Sequence, residues 1–193
     1  MINILTVLPE KACSKLSICR GLNDFRKFYK PNKEKVPFSV GDSIEDALSI
    51  FSTSLINHKI QVEFEYRGRY MAYGYPNEYS QVVLNLFTNT RDAFVQNAIN
   101  NRKILIKIDE TAKEILAEFI DNAGGIEPSL LKKIFEPYFT TKHHGTGLGL
   151  YMAKKILEKM DGNVLAENTG DGARFCLTVP KVAAAVKPKL LSS

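Results

Sequence analysis

Residues 135–160 read FEPYFTTKHHGTGLGLYMAKKILEKM, and the fold turns on how the glycines at its centre are used. Gly145, Gly147 and Gly149 alternate with other residues and run into an amphipathic helix with Leu148, Met152, Ile156 and Met160 at every fourth position. A glycine-rich turn feeding a helix start exposes free backbone amides at the positive end of the helix dipole, which suits an anion such as a phosphate. Two familiar phosphate sites are excluded. A dinucleotide fingerprint needs a third glycine where Leu150 stands and a strand just upstream, and a Walker A loop needs a Gly-Lys-Ser/Thr ending that occurs nowhere in the chain. Lys142, His143 and His144 precede the turn and bring positive or switchable charge, although exposed loop histidines explain the pair equally well. Adjacent histidines without a third ligand make a poor metal cage.

Upstream, EYSQVVLNLFTNTRDAF has helical spacing. Val82, Val83, Leu86, Ala93 and Phe94 form its apolar stripe, while Gln81, Asn85, Asn89, Asp92 and Gln96 align as a polar row one face over. A row of amides and one aspartate, rather than lysines and glutamates, offers short oxygen ligands suited to a hydrated magnesium ion that keeps water and phosphate oxygens. Between helix and glycine turn lies EILAEFIDNAGGI, an apolar strand that ends on Asp121. Such a carboxylate is costly to desolvate unless something donates to it. An amino group on a flat heterocycle would do so, with Gly124 and Gly125 letting the ring approach; a plain strand-ending turn is the alternative.

The remaining chain supplies a framework. Residues 1–31 carry an apolar stripe from Leu5 to Tyr29 at spacings of three and four, expected to be a helical arm ended by Pro31. Ser43 and Asp46 resemble a capping box for a helix through Leu55. Residues 60–66 alternate as a strand, Met71 to Tyr75 as a second, and Ile104, Ile106 and Ile108 as a third that turns into EILAEFID. A short helix is expected near Pro128 to Phe135, and two strands joined by a turn at Thr169 to Gly172 end at Pro180. The fold class is therefore α/β (α+β): a two-layer sandwich of a mixed five-stranded sheet, its strands in adjacent antiparallel pairs, and three helices on one face. The expected division is an arm at 1–31, a catalytic domain at 38–181 and a loose tail at 182–193. A formal charge of +5 decides nothing by itself, and Cys13, Cys19 and Cys176 form no CxxC pair, which reads as reduced packing residues. No run approaches the eighteen apolar residues of a membrane span.

NLFTN at 85–89, DNAGGI at 121–126, IFEPYFTTK at 134–142, GTGLGL at 145–150 and GDGARFCLTVP at 170–180 occur in an order and spacing that resembles histidine-kinase catalytic domains. These belong to the Bergerat-type ATPase superfamily shared with gyrase B, mismatch-repair and heat-shock-chaperone ATPases. The resemblance covers about residues 40–180 and implies ATP and Mg2+ as cofactors. It implies Asn89 as the magnesium ligand, assisted by Asn85, with Asp92 on the same wall. It further implies Asp121 as acceptor from the adenine amino group, Gly125 and Ile126 in the adenine pocket, and a lid from Phe135 that includes Thr141 and Lys142. Gly145, Thr146, Gly147, Leu148 and Gly149 would wrap the triphosphate. Three departures stand out. Ala123 replaces a glycine of the first glycine box, Ala173 replaces a threonine near the adenine, and the lid between the F box and Gly145 is very short.

In hydrolysing members, the place of Asn85 holds a glutamate that activates water. An amide cannot take that proton, so transfer to a nucleophile needing little base help, such as an imidazole, is favoured. His58, His143 and His144 are the only histidines, and none matches an acceptor motif. The expectation is a catalytic domain that phosphorylates a histidine on a dimerisation domain absent from this chain, a fragment of a longer sensor rather than a stand-alone protein. Its partners would be that domain, a response regulator and a second copy through the N-terminal helix, with no nucleic acid, in the cytoplasm or as the cytoplasmic part of a membrane-bound sensor. The alternatives are an anti-sigma-factor-type serine kinase and a nucleotide-gated interaction module without transfer.

Overall fold

The structure, a computed structural model, describes residues 34–66, 68–142 and 145–182. The expected arm at 1–31, most of the tail at 182–193, Cys13, Cys19, His143 and His144 lie outside the described residues. Among the described residues the first elements are a short strand β1 (Val36–Ser39) and helix α1 (Val40–Asn57), followed by β2 (Ile60–Glu65) and β3 (Met71–Gly74). Helix α2 (Pro76–Gln96), strands β4 (Arg102–Glu110) and β5 (Glu114–Asp121), helix α3 (Gly149–Lys159) and strands β6 (Asn163–Asn168) and β7 (Ala173–Pro180) complete it.

Five strands form one sheet in the order β2-β4-β5-β7-β6, and β1 pairs with β3 in a separate ribbon. Alternation decides which face is covered. Ile104, Ile106 and Ile108, then Ile115, Ala117 and Phe119, then Phe175, Leu177 and Val179 are all buried, and the residues between them are not. The three helices cover that face: Tyr79, Val82, Val83, Leu86, Phe87 and Phe94 of α2 are buried, with Phe87 stacked on Phe51 of α1 and edge-on to Phe119 of β5. Truncating such a phenylalanine to alanine costs about 3–5 kcal/mol, so α2 is clamped firmly between α1 and the sheet. The expected two-layer sandwich of three helices on a mixed five-stranded sheet is what the described residues form.

Local details differ from expectation. The strands are not all paired with sequence neighbours. β2 runs parallel to β4, because the connection through α2 carries the chain across the sheet and returns it in the same direction, and β3 pairs antiparallel with β1. Helix α1 is capped by Ser39, whose Oγ accepts from the Asp42 amide at 3.2 Å, rather than by Ser43. Ser43 is buried one turn on and donates to the Ser39 carbonyl at 3.0 Å. In α3 the buried stripe is Ala153, Ile156 and Leu157, continued by the C-cap Met160, so Met152 faces outward. Residues 128–135 form successive turns instead of a helix: Leu130 donates to Glu127 and Lys133 to Leu130, with a single four-residue bond from Ile134 to Leu130.

Candidate nucleotide site

Helix α2 is fixed by its apolar side, so its amide row is fixed too. Asn85, Asn89 and Asp92 are half-buried, whereas Gln81 and Gln96 at the ends of the row are exposed. Asn85 Nδ2 donates to the Gly149 carbonyl at 3.1 Å, joining α2 to the first turn of α3. The Lys142 ammonium donates to Asn89 Oδ1 at 3.0 Å and to Asp92 Oδ2 at 2.7 Å. Arg91 holds the other oxygen of Asp92 through Nε at 2.9 Å and Nη2 at 2.6 Å. Burial by itself would raise the Asp92 carboxyl, but hydrogen bonds and charge from Lys142 and Arg91 outweigh it and hold the group below the usual aspartate range. Between the row and the glycine turn opens a cleft of about 510 Å3, lined by Asn85, Asn89, Asp92, Thr141, Lys142, Gly145, Thr146, Gly147 and Gly149. Leu148 is not on its wall; it is the N-cap residue of α3.

The glycines of the turn serve different ends. Gly147 has φ +66, and a Cβ there would lie 2.6 Å from the Tyr138 carbonyl oxygen and 2.7 Å from the Phe139 nitrogen. Gly145 likewise presses on the Thr140 side chain. These two glycines let the turn fold onto residues 138–140, a packing role that spacing does not reveal. Gly149 meets nothing closer than Asn89 Nδ2 at 3.9 Å, which leaves its side open to the cleft. The N-cap Leu148 makes no side-chain capping bond, and the first turn of α3 carries no acid. That helix start is therefore open to an anion.

Asp121, Gly125 and Ile126 gather at a second place, off the wall of that cleft. Asp121 ends β5 at 8% exposure with its carboxylate held by three donors. The Ala123 amide at 2.9 Å and the Ala173 amide at 3.1 Å meet Oδ1, and the Thr90 hydroxyl at 3.1 Å meets Oδ2. The loop beyond it turns through Gly124 at φ +93 and Gly125 at φ +75, so Ala123 is accommodated without strain in the place of a glycine. Asparagines pin the loop. Asn97 Nδ2 donates to the Ala123 carbonyl at 2.5 Å, and Asn168 accepts from the Ile126 amide at 2.7 Å while donating to its carbonyl at 2.6 Å. Thr90 joins the two places, because it follows Asn89 on α2.

Two residues of the site, Thr90 and Asn168, stand in none of the motifs. Thr90 had a signal, since it falls between Phe87 and Phe94 in the buried stripe, where a hydroxyl needs a buried partner. Asn168 had none, being 42 positions from Ile126. Among the described residues no group of three histidine, cysteine or acidic side chains could cage a metal. The oxygens that the row offers come from Asn85, Asn89 and Asp92, a set that fits an ion keeping water and ligand oxygens in most of its positions.

The same fold occurs in known proteins. Residues 74–183 match the family model described as histidine kinase-, DNA gyrase B- and HSP90-like ATPase. The two-component sensor PprA of Pseudomonas aeruginosa is 36% identical over 160 residues, 79% of this chain and 17% of that protein. The sensor protein TdiS of Thauera aromatica is 30% identical over 167 residues, 84% of this chain and 30% of that protein. Among solved structures, the catalytic domain of histidine kinase ThkA superposes with a TM-score of 0.68 at 27% identity, covering 77% of this chain and 96% of that one. The chain spans less than a third of the length of either sensor protein. With a family match over more than half its length, the chain belongs to the histidine kinase-, DNA gyrase B- and HSP90-like ATPase family, on the sensor histidine-kinase side.

Proposed function

We propose that this domain binds ATP with magnesium and transfers the γ-phosphoryl group to a histidine on a dimerisation hairpin outside the described residues. The observation that carries the proposal is the row Asn85–Asn89–Asp92 facing Gly149 and Lys142 across one cleft, with an amide where a general base would stand. Asn89 would hold the magnesium ion, which when bound neutralises charge on the phosphate oxygens. Lys142 now spends its charge on Asn89 and Asp92. Its flexible stem allows the ammonium to turn to a phosphate instead. Gly145, Thr146, Gly147, Leu148 and Gly149 would wrap the triphosphate at the start of α3, the Gly145 and Leu148 amides leaving the Lys142 carbonyl and Thr146 Oγ1 that they now meet at 3.2 and 3.4 Å, and Thr141 would stand at the lid edge. Asp121 would accept from the adenine amino group, with Gly125 and Ile126 against the ring.

In the transfer, a lone pair on an acceptor imidazole nitrogen forms the N–P bond as the bond from γ-phosphorus to the bridging oxygen breaks, and ADP carries that electron pair away. No protein base has to remove a proton from water, which is the step Asn85 cannot assist. The partners that fit are the histidine-bearing hairpin, a response regulator that takes the phosphoryl group onward, and a second copy of the chain. No helix among the described residues is long and apolar enough to cross a membrane, which is compatible with a cytoplasmic site of action. Incubation with magnesium, γ-labelled ATP and a separately supplied hairpin domain tests the proposal. Acid-labile, base-stable label on the hairpin is the expected result, and ATP binding with no label transferred would overturn it.

A further inference from the structure

Thr90 sits at 8% exposure in the apolar face of α2, between Phe87 and Phe94. A threonine inside a helix ordinarily returns its hydroxyl to a carbonyl of the preceding turn. Here the hydroxyl crosses from α2 to the end of β5 and donates to Asp121 Oδ2 at 3.1 Å. Asp121 Oδ1 already takes two backbone amides, at 2.9 and 3.1 Å. A hydroxyl has one proton to give, and an ionised carboxylate has none. The pair is therefore left with lone pairs alone: the unused one on Oδ2 and those on the threonine oxygen.

We propose that Thr90 is a positioning and specificity-determining residue for the base end of the site, fixing the Asp121 carboxylate so that the pair accepts an amino group and rejects a carbonyl. The proposal rests on Asp121 meeting the base. A purine with an amino group at this point finds an acceptor already aimed and already desolvated. One with a carbonyl sets oxygen against oxygen, and Thr90 can relieve that only by taking its proton away from a buried carboxylate, which leaves Oδ2 unpaired. The specificity thus depends on a hydroxyl proton committed before the ligand arrives.

Thr90→Val removes the hydroxyl at nearly constant volume, and Thr90→Ser keeps it. Affinities for ATP and for inosine triphosphate, which differ at the amino-versus-carbonyl position, are measured by calorimetry on all three proteins, with thermal melts alongside. The valine variant should lose about tenfold in ATP affinity, the scale of one hydrogen bond to a charged group, while inosine triphosphate shifts by less than about twofold and serine restores the ATP preference. A purely structural role would move the melt and both affinities together. An unchanged ATP-to-inosine-triphosphate ratio in the valine variant, or a serine variant that behaves like valine, overturns the role of Thr90. No preference for ATP in the unsubstituted protein would instead overturn the assignment of Asp121 to the base, and the proposal with it.

Discussion

Asp121→Asn probes the base end of the site at nearly constant shape. The asparagine Oδ1 can keep the Ala123 and Ala173 amides, which now approach Asp121 Oδ1 at 2.9 and 3.1 Å. Its Nδ2 then falls where Oδ2 was, opposite the Thr90 oxygen at 3.1 Å, and the threonine hydroxyl rotates from donor to acceptor. The reverse amide orientation would set an NH2 group against two N–H donors, so the first is selected and the fold is retained. What changes is the face shown to the ligand, where a lone pair becomes an N–H. A hydrogen bond to a charged acceptor contributes about 1.5–3 kcal/mol, and donor facing donor costs about 1 kcal/mol more, so ATP should weaken by about 2.5–4 kcal/mol. That corresponds to a loss of about 70-fold to about 900-fold. GTP presents a carbonyl at the same position and matches the new N–H, so its affinity should hold or rise. Displacement of a fluorescent nucleotide by ATP and by GTP gives both numbers, and circular dichroism confirms folding. Equal losses for the two nucleotides in a folded variant would refute the reasoning.

Magnesium and acid provide further tests. Asn89→Ala should abolish most of the gain in ATP affinity that magnesium confers, to within about twofold of the metal-free value on the scale of a single lost ligand; a titration still strongly magnesium-dependent would contradict the ligand role. Asp92 is held below its ordinary value, so by linkage its contribution to stability is complete above the unfolded aspartate pKa of about 3.9 and is lost as pH falls through the lowered folded value. The gap in urea midpoint between the unsubstituted protein and Lys142→Met should therefore persist at pH 5 and close below about pH 4, whereas a gap that widens in acid would show that Asp92 is not the partner. Because both side chains of this ion pair keep about a third of their surface in water, its contribution is small and should shrink with salt.

What could be read without coordinates follows from how local each signal is. Strands β4, β5 and β7 announce themselves because one face carries Ile104, Ile106 and Ile108 and their counterparts in strict alternation. The amide row of α2 is equally visible, since 3.6-residue periodicity alone aligns Asn85, Asn89 and Asp92. Pairing is a different matter. Strand β1 is four residues long with Pro37 inside it, and its partner β3 is more than thirty positions away, so no local pattern marks either the ribbon or the parallel β2–β4 edge. The same limit applies to roles inside the site. GTGLGL looked like glycine for an anion throughout, but Gly147 is required by the backbone of Tyr138 and Phe139, and Gly149 alone is open towards Asn89. Thr90 and Asn168 matter through contacts with β5 and the 122–126 loop that only the folded chain brings together.

Phosphoryl transfer without hydrolysis is decided by following where the γ-phosphate goes. With magnesium, γ-labelled ATP and a supplied histidine-bearing hairpin domain, label on the hairpin and label released as free phosphate are counted over a single time course. With Asn85 in place of a general base, acid-labile label on the hairpin should accumulate while release in the absence of hairpin stays near the rate of ATP alone. Rapid release of free phosphate with or without the hairpin, and none on the histidine, would contradict it.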